Sequence, residues 1–135
     1  MTDSIEEQQA LKDFGVGRIY CRLFDVDKEG QGDFEIKGPF TSQISATVQG
    51  IDLVPCVFIT NRSLYDVSEM EVNQLAIQLV REIEERARRC GISEFREVQM
   101  DCDWANSTRK AYFYLLEQVR KSFSERGVAI SATVR

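Results

Sequence analysis

Residues 53–60 read Leu53-Val54-Pro55-Cys56-Val57-Phe58-Ile59-Thr60. The run is apolar on both of its alternating faces, the pattern of a strand covered on both sides within a parallel sheet. Downstream, Ser68 and Glu71 have the spacing of a capping box, in which hydroxyl and carboxylate each satisfy an orphan N–H. Val72, Ala76, Leu79, Val80, Ile83 and Ala87 then recur at helical spacing until Gly91 stops the helix. Within that helix Glu82 to Arg89 reads as a solvated, ion-paired face. Residues 95–102 read as the next strand. Asn106 or Ser107 is the expected cap of a further helix, with Tyr112, Leu115, Leu116, Val119 and Phe123 as its buried stripe. After Gly127, residues 128–134 read as a last strand.

Upstream, residues 18–26 have the branched and aromatic content of a strand. Residues 27–52 are punctuated by Gly30, Gly32, Gly38, Pro39 and Gly50 and read as loop. Residues 4–14 read as a short helix. Strand–helix–strand alternation argues for parallel strands joined by right-handed helical crossovers. The chain has 135 residues, which fits a single α/β domain spanning 1–135. A full (β/α)₈ barrel takes about 250 residues. The expected fold is therefore a partial, half TIM-barrel-like parallel sheet of about four strands with crossover helices. A small open flavodoxin-like sheet is the alternative.

Composition narrows the chemistry. The chain has no histidine, which removes Ser-His-Asp and Cys-His catalysis and His-ligated zinc. Its four cysteines form no CxxC pair and read as small buried hydrophobes. A net charge of −5 without a basic cluster disfavours nucleic acid. The longest apolar run, Leu53 to Ile59, is too short to span a bilayer, which takes about 20 residues. The acidic N-terminus lacks an apolar export segment, so the sequence as written reads as cytoplasmic. Gly30, Gly32 and Gly38 match no phosphate-binding loop. No cofactor is expected. Oxygen ligands from Asp25, Asp27, Asp101 and Asp103 lack EF-hand spacing, and no metal site is assigned to them.

Strand alternation sorts the polar residues. Val98, Met100 and Cys102 share one face of the third strand, and Gln99, Asp101 and Asp103 the other. Tyr20, Arg22 and Phe24 share a face of the first strand. Ser131, Thr133 and Arg135 share a face of the last. An Arg22–Asp101 ion pair is the expected satisfaction of partly buried charge. The C-terminal ends of parallel strands are where α/β folds keep their sites. Asp101 and Asp103 are accordingly the candidate catalytic carboxylates. Arg22, Asp25, Asn61 and Trp104 are candidate substrate-binding residues, with Trp104 as a stacking platform for a sugar.

The segments Arg18–Asp27, Leu53–Arg62, Glu97–Trp104 with Ser107–Arg109, and Ile130–Arg135 resemble a family of uncharacterised bacterial proteins. These are often secreted proteins or lipoproteins with a glycosidase-like TIM barrel. The resemblance implies a longer, exported parent, secreted or periplasmic, and a carbohydrate as ligand. Asp101-Cys102-Asp103-Trp104 is also similar to the D-x-D-W-E signature of chitinase-type barrels. Ala105 stands where that signature places its glutamic acid, so the usual proton donor is missing. Two functions follow as expectations: a non-catalytic binding or structural domain, and a glycoside-hydrolase-like enzyme using Asp101 and Asp103. Exposed sheet edges further imply a homo-oligomer.

Overall fold

A computed structural model of the chain describes residues 18–38, 52–92 and 94–133. The apolar run quoted above is its central strand, β3 (Asp52–Ile59), which lies between β1 (Arg18–Asp27) and β4 (Glu97–Cys102). β5 (Ala129–Thr133) pairs with β4, and the short β2 (Glu35–Lys37) pairs with the outer side of β1. A 3₁₀ turn (Asn61–Leu64) leads from β3 into helix α1 (Glu69–Arg89); helix α2 (Arg109–Ser124) joins β4 to β5. Pro55 has no N–H to donate, and the ladder from β3 to β4 opens at the next residue, Cys56. The expected helix over 4–14, Pro39, Gly50, and Val134 with Arg135 lie outside the described residues.

β1, β3, β4 and β5 are parallel neighbours in chain order, and β2 is antiparallel. Sequential order with right-handed crossovers places successive helices on one face of the sheet. The buried stripes of α1 and α2 accordingly share one core with Val57, Ile59, Val98, Met100 and Cys102. A flavodoxin-type sheet reverses its strand order and takes helices on both faces; this sheet does neither among the described residues. The result is an open, partly barrel-like parallel sheet.

Local chemistry explains the helix ends. Glu71 N–H donates to Ser68 Oγ at 3.1 Å and Ser68 N–H to Glu71 Oε1 at 3.1 Å, so the capping box is complete. Both helices terminate alike. Gly91 and Gly127 adopt φ of 88° and 72°. Ile92 N–H then reaches back to Ala87 O at 2.8 Å and Val128 N–H to Phe123 O at 3.1 Å. This is a Schellman turn, and it plants a buried apolar residue at the foot of the next strand. A Cβ on Gly127 would meet no atom within 4 Å, so the glycine is required by backbone angle rather than by space.

Three expectations are corrected. First, Phe24 does not share a face with Tyr20 and Arg22. The β1–β3 register slips by one residue between Arg22 and Phe24, a bulge at Leu23 that flips every later side chain. Phe24 is therefore fully buried under α1, with the Arg86 guanidinium 5.4 Å from its ring centre, and Asp25 takes the face of Arg22. Second, residues 27–52 are not all loop, because β2 forms a fifth strand too short to show a period. The chain returns to it through Gly30 (φ 57°) and the Gly32 N–H to Glu29 O bond of 3.0 Å. Third, Thr108 rather than Asn106 or Ser107 stands at the N-cap position of α2, and its side chain makes no capping hydrogen bond.

The rim at the C-terminal end of β1 is organised by one carboxylate. Asp27 is buried and accepts from Arg62 Nε at 2.8 Å and Nη2 at 2.6 Å, Thr60 Oγ1 at 2.7 Å, Lys37 Nζ at 3.1 Å and Lys28 N–H at 2.8 Å. The Arg62 guanidinium above all, then the Thr60, Lys37 and Lys28 donors, hold its carboxyl far below the usual range, against the opposing cost of burial. A carboxyl depressed in the folded state contributes stability above its unfolded value of about 4, and that contribution drains away as the pH falls below it. The melting temperature should therefore fall steeply on acidification below about pH 4. Asp27→Asn should cost about 1–2 kcal/mol at neutral pH, since charge-assisted hydrogen bonds become neutral ones while Arg62 and Lys37, both about half exposed, regain water. It should also flatten the acid limb. Circular dichroism melts over a pH series check both; parallel acid limbs for the two proteins would refute the assignment.

Candidate functional site

The face of the sheet turned away from the helices carries two side-chain rows that run across four strands. Paired residues place Arg22, Cys56, Gln99 and Ser131 in one row and Asp25, Phe58, Asp101 and Thr133 in the next. The rows differ in kind from the helix-side core, which is almost wholly apolar. Tyr20, Arg22, Cys56, Phe58, Gln99 and Asp101 line an open cavity of about 410 Å³ on this face.

Each polar group in the rows is held by a neighbour. Arg22 grips Asp25 in a two-pronged pair, with Nε to Oδ1 at 3.0 Å and Nη2 to Oδ2. That hydrogen bond raises the Arg22 pKa; Asp101 adds a weaker, longer-range attraction. The expected Arg22–Asp101 ion pair is thus replaced by Arg22–Asp25. The Leu23 bulge causes the exchange by swinging Asp25 onto the open face. Asp101 instead accepts from Thr133 Oγ1 at 2.5 Å. One strand turn lower, Glu97 accepts from Ser131 Oγ at 2.6 Å and from Arg18 Nη1 at 2.8 Å, the latter reaching across β3. Substituting Asp101 leaves Arg22 with its carboxylate partner, so the large structural penalty expected from an orphaned arginine does not follow.

The other candidates lie elsewhere. β4 ends at Cys102, and Asp103 is exposed in the loop beyond it. Asp103 does not line the cavity that Asp101 lines. Trp104 is half-buried against the core, its ring 6.0 Å from that of Phe113 and 5.8 Å from the Arg109 guanidinium. It covers the core edge at the start of α2 rather than presenting a face to the cavity. Its Nε1–H is buried without a hydrogen-bond partner. Asn61 Oδ1 accepts from Thr108 Oγ1 at 2.5 Å and from Ala105 N–H at 3.2 Å. Asn61 therefore splices the turn after β3 to the loop after β4. Of the sequence-derived set, the fold brings Arg22, Asp25 and Asp101 to one face; Asp103, Asn61 and Trp104 belong to the rim.

Among the described residues no three carboxylates or thiols are gathered as a metal ion would need. Asp27, a possible oxygen ligand by sequence, is instead enclosed by cationic and N–H donors. None of the four cysteines is in a disulfide. Burial pushes the Cys56 and Cys102 thiols up to about 12, which keeps them protonated and weakly nucleophilic.

Tyr20, Phe58, Cys56 and Gln99 were not singled out as site residues by sequence. Their signal is parity: Cys56 and Phe58 alternate with Val57 and Ile59, and Gln99 shares the face of Asp101. What parity does not supply is which face the helices cover. No helix among the described residues is long and apolar enough to cross a membrane. In comparisons with known proteins, no family model matches the chain, no curated protein matches its sequence, and no solved structure matches its fold.

Proposed function

We propose that this domain is a non-catalytic carbohydrate-binding or structural unit of a glycosidase-like α/β barrel, and that its ligand rests on the open sheet face. The observation that carries this reading is the convergence of two aromatic rings with a guanidinium, an amide and a carboxylate around one cavity. A volume of about 410 Å³ falls in the range of small-molecule sites. Rings offer a flat apolar wall to the C–H face of a sugar, and Arg22, Gln99 and Asp101 offer donors and an acceptor to its hydroxyls. Two-carboxylate hydrolysis has weaker support. Among the described residues Asp101 is the carboxylate lining the cavity, its row-mate Asp25 is gripped by Arg22, Asp103 is exposed in the loop, and Ala105 replaces the acid of the chitinase-type signature.

Titration of isotope-labelled protein with neutral mono- and disaccharides tests the reading. The amide signals of Tyr20, Cys56 and Gln99 should move on saturation. Asp101→Asn and Arg22→Gln should each weaken binding by about tenfold, the effect of losing one good hydrogen bond. Asp103→Asn should bind as the parent does, and neither should cleave glycans above background. A titration that moves no open-face signal with any sugar would sink the proposal.

The same reading extends to assembly. β5 has no partner on its outer side among the described residues, and Ala129–Thr133 carries no proline, lysine or bulge to block pairing. Such an edge invites a further strand. We propose that a second copy supplies it. Light scattering on purified protein should give the mass of two chains, and Ala132→Lys should halve it. A single-chain mass for the parent would exclude the dimer.

A further inference from the structure

We propose that the flank of α2 turned away from α1 is an interaction surface, and that it packs against the same flank of a second copy of this chain. The inference rests on the β5 pairing proposed above and adds a helix-to-helix seam to it. Helical spacing separates the faces of α2. Tyr112, Leu115, Val119 and Phe123 are buried in the core. Ala111 and Tyr114 line a cavity with Leu64 and Val72, which puts them on the side of α1. Arg109, Phe113 and Glu117 follow one another at i, i+4 spacing and form the row on the remaining side. α1 packs on β1 and β3, and α2 packs on β5. The row therefore overlooks the outer edge of the sheet.

Two observations mark that side as uncovered among the described residues. Phe113 is 45% exposed, although Leu116 beside it packs on the core. Ala132 pairs with buried Met100 and so points to the helix side of the sheet, yet it is exposed. The helix layer thus stops short of the β5 edge.

A second copy fits this gap. Two β5 strands paired antiparallel about a two-fold axis normal to the sheet keep both helix layers on one face. α2 bridges β4 and β5, with Tyr112 Oη donating to Met100 O at 3.3 Å. Its twin would then lie two strand spacings away, about 9.6 Å, and helices pack at about 8–10 Å. Charge agrees with the symmetry. With Phe113 at the axis of an antiparallel helix pair, each Arg109 stands opposite the Glu117 of the other copy. Arg109 lies over the Trp104 and Phe113 rings, 5.8 and 5.7 Å from their centres. Glu117 is gripped by Arg120 of its own helix, and a carboxylate has lone pairs left for a second cation. The row is self-complementary, as a two-fold contact requires.

Light scattering across a dilution series tests the seam. The parent should weigh two chains. Phe113→Ser should weaken the dimer by about tenfold or more, the effect of truncating an aromatic anchor. Arg109→Glu and Glu117→Arg should each weaken it as well. The double swap restores opposite charges across the axis and should recover most of that loss. Circular dichroism identifies any variant that fails to fold, and the double swap keeps the test decisive without Phe113→Ser. A parent dimer that Ala132→Lys splits, while every folded flank variant dimerises as the parent does, would overturn the seam and leave the β5 pairing standing. A parent that weighs one chain would remove both.

Discussion

One buried carboxylate sets the geometry of the rim. Asp27 ends β1, and its donors come from the return toward β2, from β2 itself and from the turn that launches α1. Three side chains and a backbone N–H converge on two oxygens. A buried anion is costly unless its lone pairs are filled, so the chain must bring these pieces together or leave Asp27 uncompensated. The same cluster extends to Ser63, which exchanges a 2.6 Å hydrogen bond with Thr60 and donates to Val26 O at 3.2 Å. The β3 end is thereby tied to the β1 end. The Asn61 carbonyl then ties it to the loop after β4. Asp27 and Asn61 thus stitch three strand ends into one rim.

With the rim fixed, the one-sided placement of the helices governs everything below it. The helix-side residues of each strand enter a dry core and are apolar. The opposite residues meet no helix among the described residues, and the sequence fills them with groups that satisfy one another along and across strands. Thr133 and Ser131 on β5 serve Asp101 and Glu97 on β4, and Arg22 serves Asp25. A satisfied polar network on a sheet face specifies register, because a slip by one residue would drive these charges into the core. The network therefore aligns β5 on β4 as well as shaping the cavity.

Most of the scaffold was legible because its signals are local and redundant. The Ser68–Glu71 box, the stripe from Val72 to Ala87 and Gly91 all point to one helix, and the structure places it at Glu69–Arg89. Apolar alternation likewise marked β4 and its buried residues Val98, Met100 and Cys102. The rest depended on information that no local window contains. A bulge at Leu23 is a relation between two strands, and it reassigned both Phe24 and Asp25. β2 spans three residues and exists because β1 offers it an edge. Trp104 beside acidic residues reads equally as platform or as cover, and where it sits, against Phe113 and Arg109, depends on packing that no local window contains. Thr108 reads as an ordinary helix residue until Asn61, 47 positions away, claims its hydroxyl.

These displacements change what the acidic residues can do. Had Arg22 paired with Asp101, the open face would hold one neutral pair and a spare Asp25 at its margin. With Arg22 turned to Asp25, Asp101 accepts instead from the Thr133 hydroxyl. A hydroxyl donor orients a carboxylate without cancelling its charge. Hydrolysis asks more, namely a second carboxyl across the same bond, with a proton to give. In this fold the residue two positions on from Asp101 has already left the strand, so β4 does not carry Asp103 onto the face of Asp101 as a second carboxyl.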